Sequence, residues 1–447
     1  MTRRIIVAIL RFTLRIYFRR IEVAGVENVP AGAPVIFVMN HPNALVDPVF
    51  LLCLAPRKIA FIAKAPLFRM PVIGLLVRAL DSLPAYRRQD QEQDVARNAE
   101  TFAAARKLLA AGVAIGICPE GISHSEPGLQ PIKTGAARIA LGATANGEVR
   151  NLKIVPAGLY YTAKTVFRSS ALLYYGRPID VKPIELEPDG SPPRTAVREL
   201  SAEIAAALRA VMLDAQHEEG LHLITRAERI FSSTDPDADE DGHLAAELRL
   251  RQQFVKGYDV LRLRAPTRLR VLQMRINRFE EGLRQAGIEA DELEVPRSVP
   301  QSAARVLLRC LLFLVLLPPA LIGIAIHFPV YRLGGYLAVR LSQSEQDIIS
   351  TIKIISAMLL YPITWLVVSF ALAWWPGWPA AVVALLVMPV TGYIAMRFLE
   401  EIDAFAGGLR AMAFFLTRRR FFVRLLAERR AIREEILALG EEALPTR

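Results

Sequence analysis

The chain has 447 residues, 53% of them hydrophobic, and its 55 Lys+Arg against 44 Asp+Glu leave a net charge of +11. A mean hydropathy of +0.30 sets it apart from ordinary soluble domains and points to partial residence in a membrane. The basic balance fits nucleic acid or an anionic membrane surface. With no C-x-x-C finger, RNA-binding aromatic signature or DNA-binding motif in the sequence, the membrane is the expected partner and nucleic acid is excluded.

The amino end, residues 1–20, alternates apolar residues with Arg3, Arg4, Arg11, Arg15, Arg19 and Arg20. It lacks the uninterrupted apolar length of a spanning helix and a small-residue cleavage site. Ile5, Ile6, Ile9, Leu10, Phe12, Thr13, Ile16 and Tyr17 share one helical face, which reads as an interfacial anchor; an ordinary capping helix of the next domain is the alternative.

Residues 21–192 alternate short apolar runs with helical stretches, an α/β pattern with a mixed sheet flanked by helices. Strands are expected at Val35–Val38, Ala60–Ile62, Val113–Cys118 and Leu152–Val155, and a helix at Asp94–Ala111 with Val95, Phe102, Ala105, Leu108 and Leu109 on one side. Residues 193–300 become helical and strongly charged. Within them Asp237, Asp239, Asp241 and Gly242 imitate the start of a calcium loop. The twelfth position is Leu248 instead of glutamate, so an exposed turn capping the next helix is the expected structure.

Residues 301–400 are a membrane region. Val306–Ile326, Ile354–Trp374 and Ala380–Ile394 come close to the length that crosses a bilayer. Pro318-Pro319 in the middle of the first stretch predicts a break, so Val306–Val330 is expected to dip in and return. The other two are expected to form a hairpin turning at Trp375–Trp378. Residues 401–447 are a basic helical tail carrying Arg418–Arg420, Arg424, Arg429 and Arg430. Basic residues on both flanks, together with Arg332, Arg340 and Lys353, predict catalytic domain and tail on the cytoplasmic face.

Chemistry concentrates in four blocks. The first is Asn40-His-Pro-Asn-Ala-Leu-Val-Asp47, directly after an apolar run. A buried strand there delivers a histidine and an aspartate to a turn at its carboxyl end, where open α/β sheets place ligands. A histidine oriented by a carboxylate takes a proton from an alcohol near neutral pH. The bland alternative makes Asp47-Pro48 a helix start, with Asn40 and Asn43 as turn formers. The second block runs from Lys64 to Gly74 and on through Leu83-Pro-Ala-Tyr-Arg87-Arg88. The third is Ile117-Cys-Pro-Glu120-Gly121-Ile-Ser-His-Ser125 with Leu129–Ala136. The fourth is Ile154–Tyr160, continuing to Phe167-Arg168-Ser169 and Tyr175–Pro178.

Together these blocks, over roughly residues 20–180, resemble the glycerolipid acyltransferase family, membrane enzymes that move a fatty acyl group from a thioester to a hydroxyl of a glycerol phosphate. Five residues separate His41 from Asp47, where the commonest family pattern has four. A branch resembling the fungal glycerol-3-phosphate and dihydroxyacetone-phosphate acyltransferases also has five. It shares Pro-Glu-Gly followed by Ser-His, Lys-x-Gly, Val-Pro-x-Gly-Leu and Phe-Arg-Ser; Ile122 stands where that branch often has glycine.

The resemblance implies an O-acyltransferase of phospholipid biosynthesis acting on glycerol-3-phosphate. It needs no cofactor beyond the thioester of acyl-CoA or acyl carrier protein as co-substrate, and its partners are membrane lipids. The alternatives are lysophosphatidic acid or another lysophospholipid as acceptor, or a membrane acyl-thioesterase in which water replaces the glycerol hydroxyl. His41 is the expected base and Asp47 its orienter. Arg87, Arg88, Lys133 and Arg168 are the expected phosphate cations, and Glu120-Gly121 a turn that touches the glycerol or orients the cations. His124 is expected to be structural and Cys118 a core residue; His217, His222, His243 and His327 show no metal-ligand spacing and no metal is expected. Cys53 and Cys310 are expected as reduced core residues, with no disulfide framework.

Overall fold

A computed structural model describes residues 2–87, 97–145, 147, 149–215, 217–232, 243–288, 290, 293, 299–343, 345–374 and 377–443. Arg88, the acidic stretch 233–242, and Trp375-Pro376 of the expected hairpin turn lie outside them. The chain divides into two compact units. The first comprises Met1–Gln216, Asp241–Leu248 and Ser342–Thr351, and the second the remainder.

The first unit is built on an eight-stranded mixed sheet. Its strands are β1 (Arg20–Ala24), β2 (Val35–Met39), β3 (Ile59–Lys64), β4 (Leu83–Ala85), β5 (Ala114–Ile117), β6 (Lys153–Tyr161), β7 (Ser170–Tyr175) and β8 (Ile179–Asp180). The order is β1-β7-β6-β2-β5-β3-β4, with β8 also paired to β6. β2 is parallel to β5 on one side and to β6 on the other, Val38 standing opposite Ile117 and Met39 opposite Ala157. β6 runs antiparallel to β7 and β8. All five residues of β2 are fully buried, as a strand covered on both faces requires.

Helices α1 (Thr2–Tyr17), α2 (Val46–Leu54), α3 (Pro71–Ala79), α4 (Asn98–Ala110), α5 (Gly135–Ala145) and α6 (Arg194–Val211) complete this unit. The α4 side chains Ala105 and Leu109 are buried in one core with Ile115 and Ile139. That core also takes Val197, Leu200, Ile204 and Leu208 of α6. The catalytic unit therefore continues past the boundary expected at 192, because α6 is amphipathic and its apolar face closes the sheet. α1 is bound through Arg3, which donates to the Leu80 and Ile59 carbonyls at 2.5 and 2.7 Å, and through buried Leu14 and Tyr17. It caps the domain, and it also leaves Ile5, Ile9 and Phe12 exposed.

The second unit contains α7 (Glu218–Ser232), most of α8 (His243–Arg264), α9 (Pro266–Ala286), α10 (Val299–Leu341), most of α11 (Gln346–Ala373), α12 (Trp378–Thr417) and α13 (Arg419–Ala443). Three helices, Leu308–Leu341, Gln346–Ala373 and Trp378–Gly407, are long and apolar enough to cross a membrane. The chain does not turn back at Pro318-Pro319: α10 runs as one helix of 43 residues through Pro318, Pro319 and Pro329. This corrects the dip-and-return expected for Val306–Val330. Proline costs a helix one donor and a kink, which neighbouring helices can absorb. α12 is such a neighbour: a side chain on Gly323 would stand 2.1 Å from the Thr391 carbonyl oxygen, and one on Gly392 2.7 Å from the His327 ring. Small residues thus let the two backbones approach. α12 also continues beyond residue 400, so the expected boundary between membrane region and tail falls inside one helix.

Candidate active site

β2, β5 and β6 are neighbours, and β2 and β5 point the same way, so the segments leaving their ends meet. Three residues beyond the Val38–Ile117 pair stand His41 and Glu120. Asn40, 5% exposed, splices the end of β2 to β6: its side-chain amide donates to the Leu159 carbonyl at 3.0 Å and accepts the Leu159 N–H at 2.7 Å. The chain then turns, with Ala44 at φ 37, and enters α2. Both asparagines are more than turn formers, since Asn43 is fully buried and its N–H donates to Asp47.

His41 Nδ1 lies 2.9 Å from Asp47 Oδ2. The same oxygen accepts the Asn43 N–H at 2.6 Å, and Oδ1 accepts the Tyr161 hydroxyl at 2.7 Å. Asp47 is 0% exposed. Its carboxylate is not the helix cap the sequence allowed, because α2 has no side-chain cap at its own start. The pairing favours the tautomer with the proton on Nδ1, which leaves the Nε2 lone pair as the basic site.

Burial alone would lower the affinity of the imidazole for a proton, but Cys118 and Asp47 oppose it and hold the pKa well above the ordinary histidine value. The Cys118 thiol is itself pushed up by burial. A thiol kept protonated lends little negative charge, so Asp47 is the durable cause. Burial, with Asp47 beside it, also raises Tyr161 far above the usual phenol range, so its hydroxyl stays a donor to the carboxylate.

Cys118 departs from expectation. The sequence places no base beside it, yet parallel pairing of β2 and β5 brings its thiol close enough to the His41 ring for each to shift the other's affinity for a proton. A reactive cysteine needs a lowered pKa, and Cys118 has a raised one, so proximity to His41 does not make it a nucleophile.

Glu120 has partners the sequence does not reveal. Its side chain is wholly buried and both oxygens accept hydrogen bonds. Oε1 accepts the His41 N–H at 3.1 Å, while Oε2 accepts the His124 ring N–H at 2.5 Å and the Gln130 N–H at 2.8 Å. The His124 N–H in turn donates to the His41 carbonyl at 3.1 Å. Glu120 therefore ties the turn that holds the base, through bonds from both strand-end segments. His124 has the structural task expected of it.

Of the expected cations, Arg87 donates to the Gly121 carbonyl, and a side chain on Gly121 (φ +73) would stand 3.4 Å from Lys133 Cγ. These two bases flank the Glu120-Gly121 turn. Arg168, itself at φ 66, is given different work: its guanidinium donates to the Arg15, Ile16 and Phe18 carbonyls at 3.4, 3.4 and 3.3 Å. It covers the carboxyl end of α1, where a helix leaves carbonyls unpaired, a task the sequence reading did not foresee. Arg88 is outside the described residues.

Two residues escaped sequence reasoning. Tyr161 ends β6 and gave no motif signal. Lys164, in the loop after it, donates to the Pro42 carbonyl at 3.2 Å and to Ser125 Oγ at 2.7 Å. Burial lowers its pKa, against Asp347 and Asp47. Asn43 Oδ1 and His124 Nδ1 are buried without a partner among the described residues, and such orphans at a turn carrying a base are atoms a bound ligand or water would satisfy. Among the described residues no group of three or more His, Cys, Asp or Glu side chains is placed to hold a metal ion.

Known proteins share these parts. Residues 20–160 match the family described as Acyltransferase, and residues 236–446 match the family described as Glycerol-3-phosphate acyltransferase 2 C-terminal domain. The chain is 28% identical over 291 residues to glycerol-3-phosphate O-acyltransferase 2 of Saccharomyces cerevisiae, covering 62% of this chain and 38% of that one. It is 29% identical over 278 residues to glycerol-3-phosphate O-acyltransferase 1 of the same yeast, covering 56% and 34%. It thus spans little more than a third of the length of these relatives. The crystal structure of a 1-acyl-sn-glycerophosphate (LPA) acyltransferase from Thermotoga maritima matches 47% of this chain and 80% of that one at 20% identity, with a TM-score of 0.33. The chain carries an Acyltransferase-family domain, followed by a domain of the Glycerol-3-phosphate acyltransferase 2 C-terminal family.

Proposed function

We propose that the protein transfers a fatty acyl group from a thioester, of coenzyme A or acyl carrier protein, to a hydroxyl of glycerol-3-phosphate, and does so at a membrane. The observation that carries this reading is the His41 Nδ1–Asp47 Oδ2 contact of 2.9 Å at the carboxyl end of β2. His41 takes the hydroxyl proton as the alkoxide oxygen attacks the thioester carbonyl. The new C–O ester bond forms, the C–S bond breaks, and the imidazolium returns the proton to the departing thiolate. Asp47 holds the ring and stabilises its charged form. The substrate hydroxyl is the nucleophile, so no acyl-enzyme is required.

Arg87 and Lys133, on either side of the Gly121 turn, supply positive charge for the acceptor phosphate. The three long apolar helices keep the site where acyl chains reside, with catalytic domain and tail on the cytoplasmic face. The yeast relatives are named for glycerol-3-phosphate, which favours that acceptor over lysophosphatidic acid. Detergent-solubilised full-length protein, offered a long-chain acyl-CoA with glycerol-3-phosphate, dihydroxyacetone phosphate, lysophosphatidic acid or no acceptor, tests the reading. Ester formation on glycerol-3-phosphate is the expected result. Release of free fatty acid at the same rate with and without acceptor would make the protein a thioesterase.

A further inference from the structure

The reaction just described uses no residue beyond 170, yet side chains from far along the chain are buried at the same turn. Residues Ser342–Thr351, which lead from α10 into the first turns of α11, belong to the compact unit that contains His41. Ser350 is 0% exposed, and Asp347 and Thr351 each 7%. Thr351 Oγ1 accepts the Leu45 N–H at 3.2 Å. Ser350 Oγ donates to the Lys164 carbonyl at 2.5 Å. The Asp347 carboxylate accepts the Ser123 hydroxyl.

Each bond reaches a different part of the site. Leu45 lies between His41 and Asp47, where α2 begins with no cap from its own side chains; Thr351 supplies the missing acceptor from another part of the fold. Lys164 is the junction of the loop after β6 with the same turn. Its carbonyl also receives Asn43 Nδ2 at 3.4 Å, and its ammonium donates to the Pro42 carbonyl. Ser123 sits two residues beyond the Glu120-Gly121 turn. Burying three polar side chains at the head of an otherwise apolar helix is costly unless each is bonded, and each of these is bonded to the catalytic loops.

We propose that Ser350 and Thr351 are positioning residues for the His41–Asp47 pair: they fix Lys164 and Leu45, and through them the turn that aims the imidazole. The proposal rests on the reading of His41 as the base. It gives the start of α11 a part in the reaction beyond holding the protein to lipid, since both residues lie in the first turns of that long apolar helix.

The experiment uses full-length protein in nanodiscs of phosphatidylcholine and phosphatidylglycerol, with the single variants Ser350→Ala, Thr351→Val and Thr351→Ser. Small errors in the placement of a reacting group cost on the order of tenfold or more in rate. The alanine and valine variants should therefore lose about that much kcat, with KM for glycerol-3-phosphate and acyl-CoA within roughly twofold of wild type and unchanged yield. Thr351→Ser should restore the rate, because it keeps the acceptor oxygen. Hydrogen exchange over residues 40–48 should quicken in the two slow variants. Wild-type kcat and wild-type exchange in both would overturn the proposal. A loss that follows folded yield and is not rescued by serine would do the same. If wild type transfers nothing to glycerol-3-phosphate, or His41→Ala still does, the assignment of the base has failed instead. Exchange over residues 40–48 then decides alone: quickened supports the bracket, unchanged removes it.

Discussion

The α/β unit and the long apolar helices of the second unit treat large apolar side chains in opposite ways. In the α/β unit they are inside: Val35 to Met39 and Ile115 are fully covered, and the buried polar groups Asn40, Asn43 and Asp47 lie just past the end of β2. In the long apolar helices Leu314, Leu366 and Leu386 are 66%, 58% and 69% exposed, whereas Ser356, Ser369 and Thr391 are buried. The first arrangement is driven by water. The second is what packing among lipid asks for, with small and polar groups between helices and large apolar ones outward. The segment Ser342–Thr351 sits where one rule gives way to the other.

If that contrast is right, the largest loss should come from a change at the strand ends that alters almost no packing. His41→Ala should lower acyl transfer by roughly a hundred- to ten-thousand-fold, the usual contribution of a general base, with unchanged expression and membrane association. Activity above about a tenth of wild type in a steady-state assay would remove His41 from the mechanism.

Asp47→Asn sharpens the same point through pH. The base works only when neutral, and the raised pKa of His41 means that kcat/KM should climb with pH through a step above the usual histidine value of about 6.5. Asparagine keeps the shape and removes the charge that favours the imidazolium. The acid limb should then move to lower pH while the maximum rate falls. A pH profile with a lower ceiling and an unmoved limb would show that Asp47 orients the ring without tuning it.

How much of this was legible follows from where the determinants lie in sequence. β2 and β5 could be read because a strand covered on both faces is an unbroken apolar run. The pairing of His41 with Asp47 could be read because it closes within one turn. β1, with Arg20 and Glu22 in it, and β4, three residues around Pro84, carry too little pattern to separate from loops. Glu120 and Arg168 are visible in the sequence as charges, but the partners they hold in the fold are not. Spacing says nothing about which carbonyls or ring nitrogens will stand opposite, and both found their partners across the fold. The break expected at Pro318-Pro319 failed for a related reason, because Gly392 of α12, which lets that helix come close to α10, is about seventy residues away. Thr351 was beyond reach, since its bond to Leu45 spans 306 positions.

A smaller effect separates the two arginines once grouped together. Arg168→Ala removes the cover from the carboxyl end of α1 and should cost about 1 kcal/mol of stability, seen as a lower melting temperature with acceptor KM unchanged. Arg87→Ala, beside the Gly121 turn, should instead raise acceptor KM while the melting temperature holds. An acceptor KM raised by Arg168→Ala at constant stability would restore the phosphate role that its contacts with α1 argue against.

The smallest effect should come from a part of the α/β unit that breaks its own rule. α1 exposes Ile5, Ile9 and Phe12, and α3, which packs against α1, exposes Val72 and Leu75, at 66% and 69% for the last two. Water gives no reason for such a patch on an otherwise well-covered domain. With arginines beside it on α1, it has the character of a helix face resting in a lipid headgroup layer. Phe12→Glu and Leu75→Glu should leave the protein in the membrane, because the long apolar helices remain. They should also leave turnover of a water-soluble short-chain acyl-CoA intact, because His41 is untouched. What should fall, by a few-fold, is turnover of a long-chain donor partitioned into vesicles, since the catalytic unit would no longer be pressed to the surface from which that chain is drawn. Equal losses with both donors would assign the patch to folding, and no loss with either would leave α1 as a cap and nothing more.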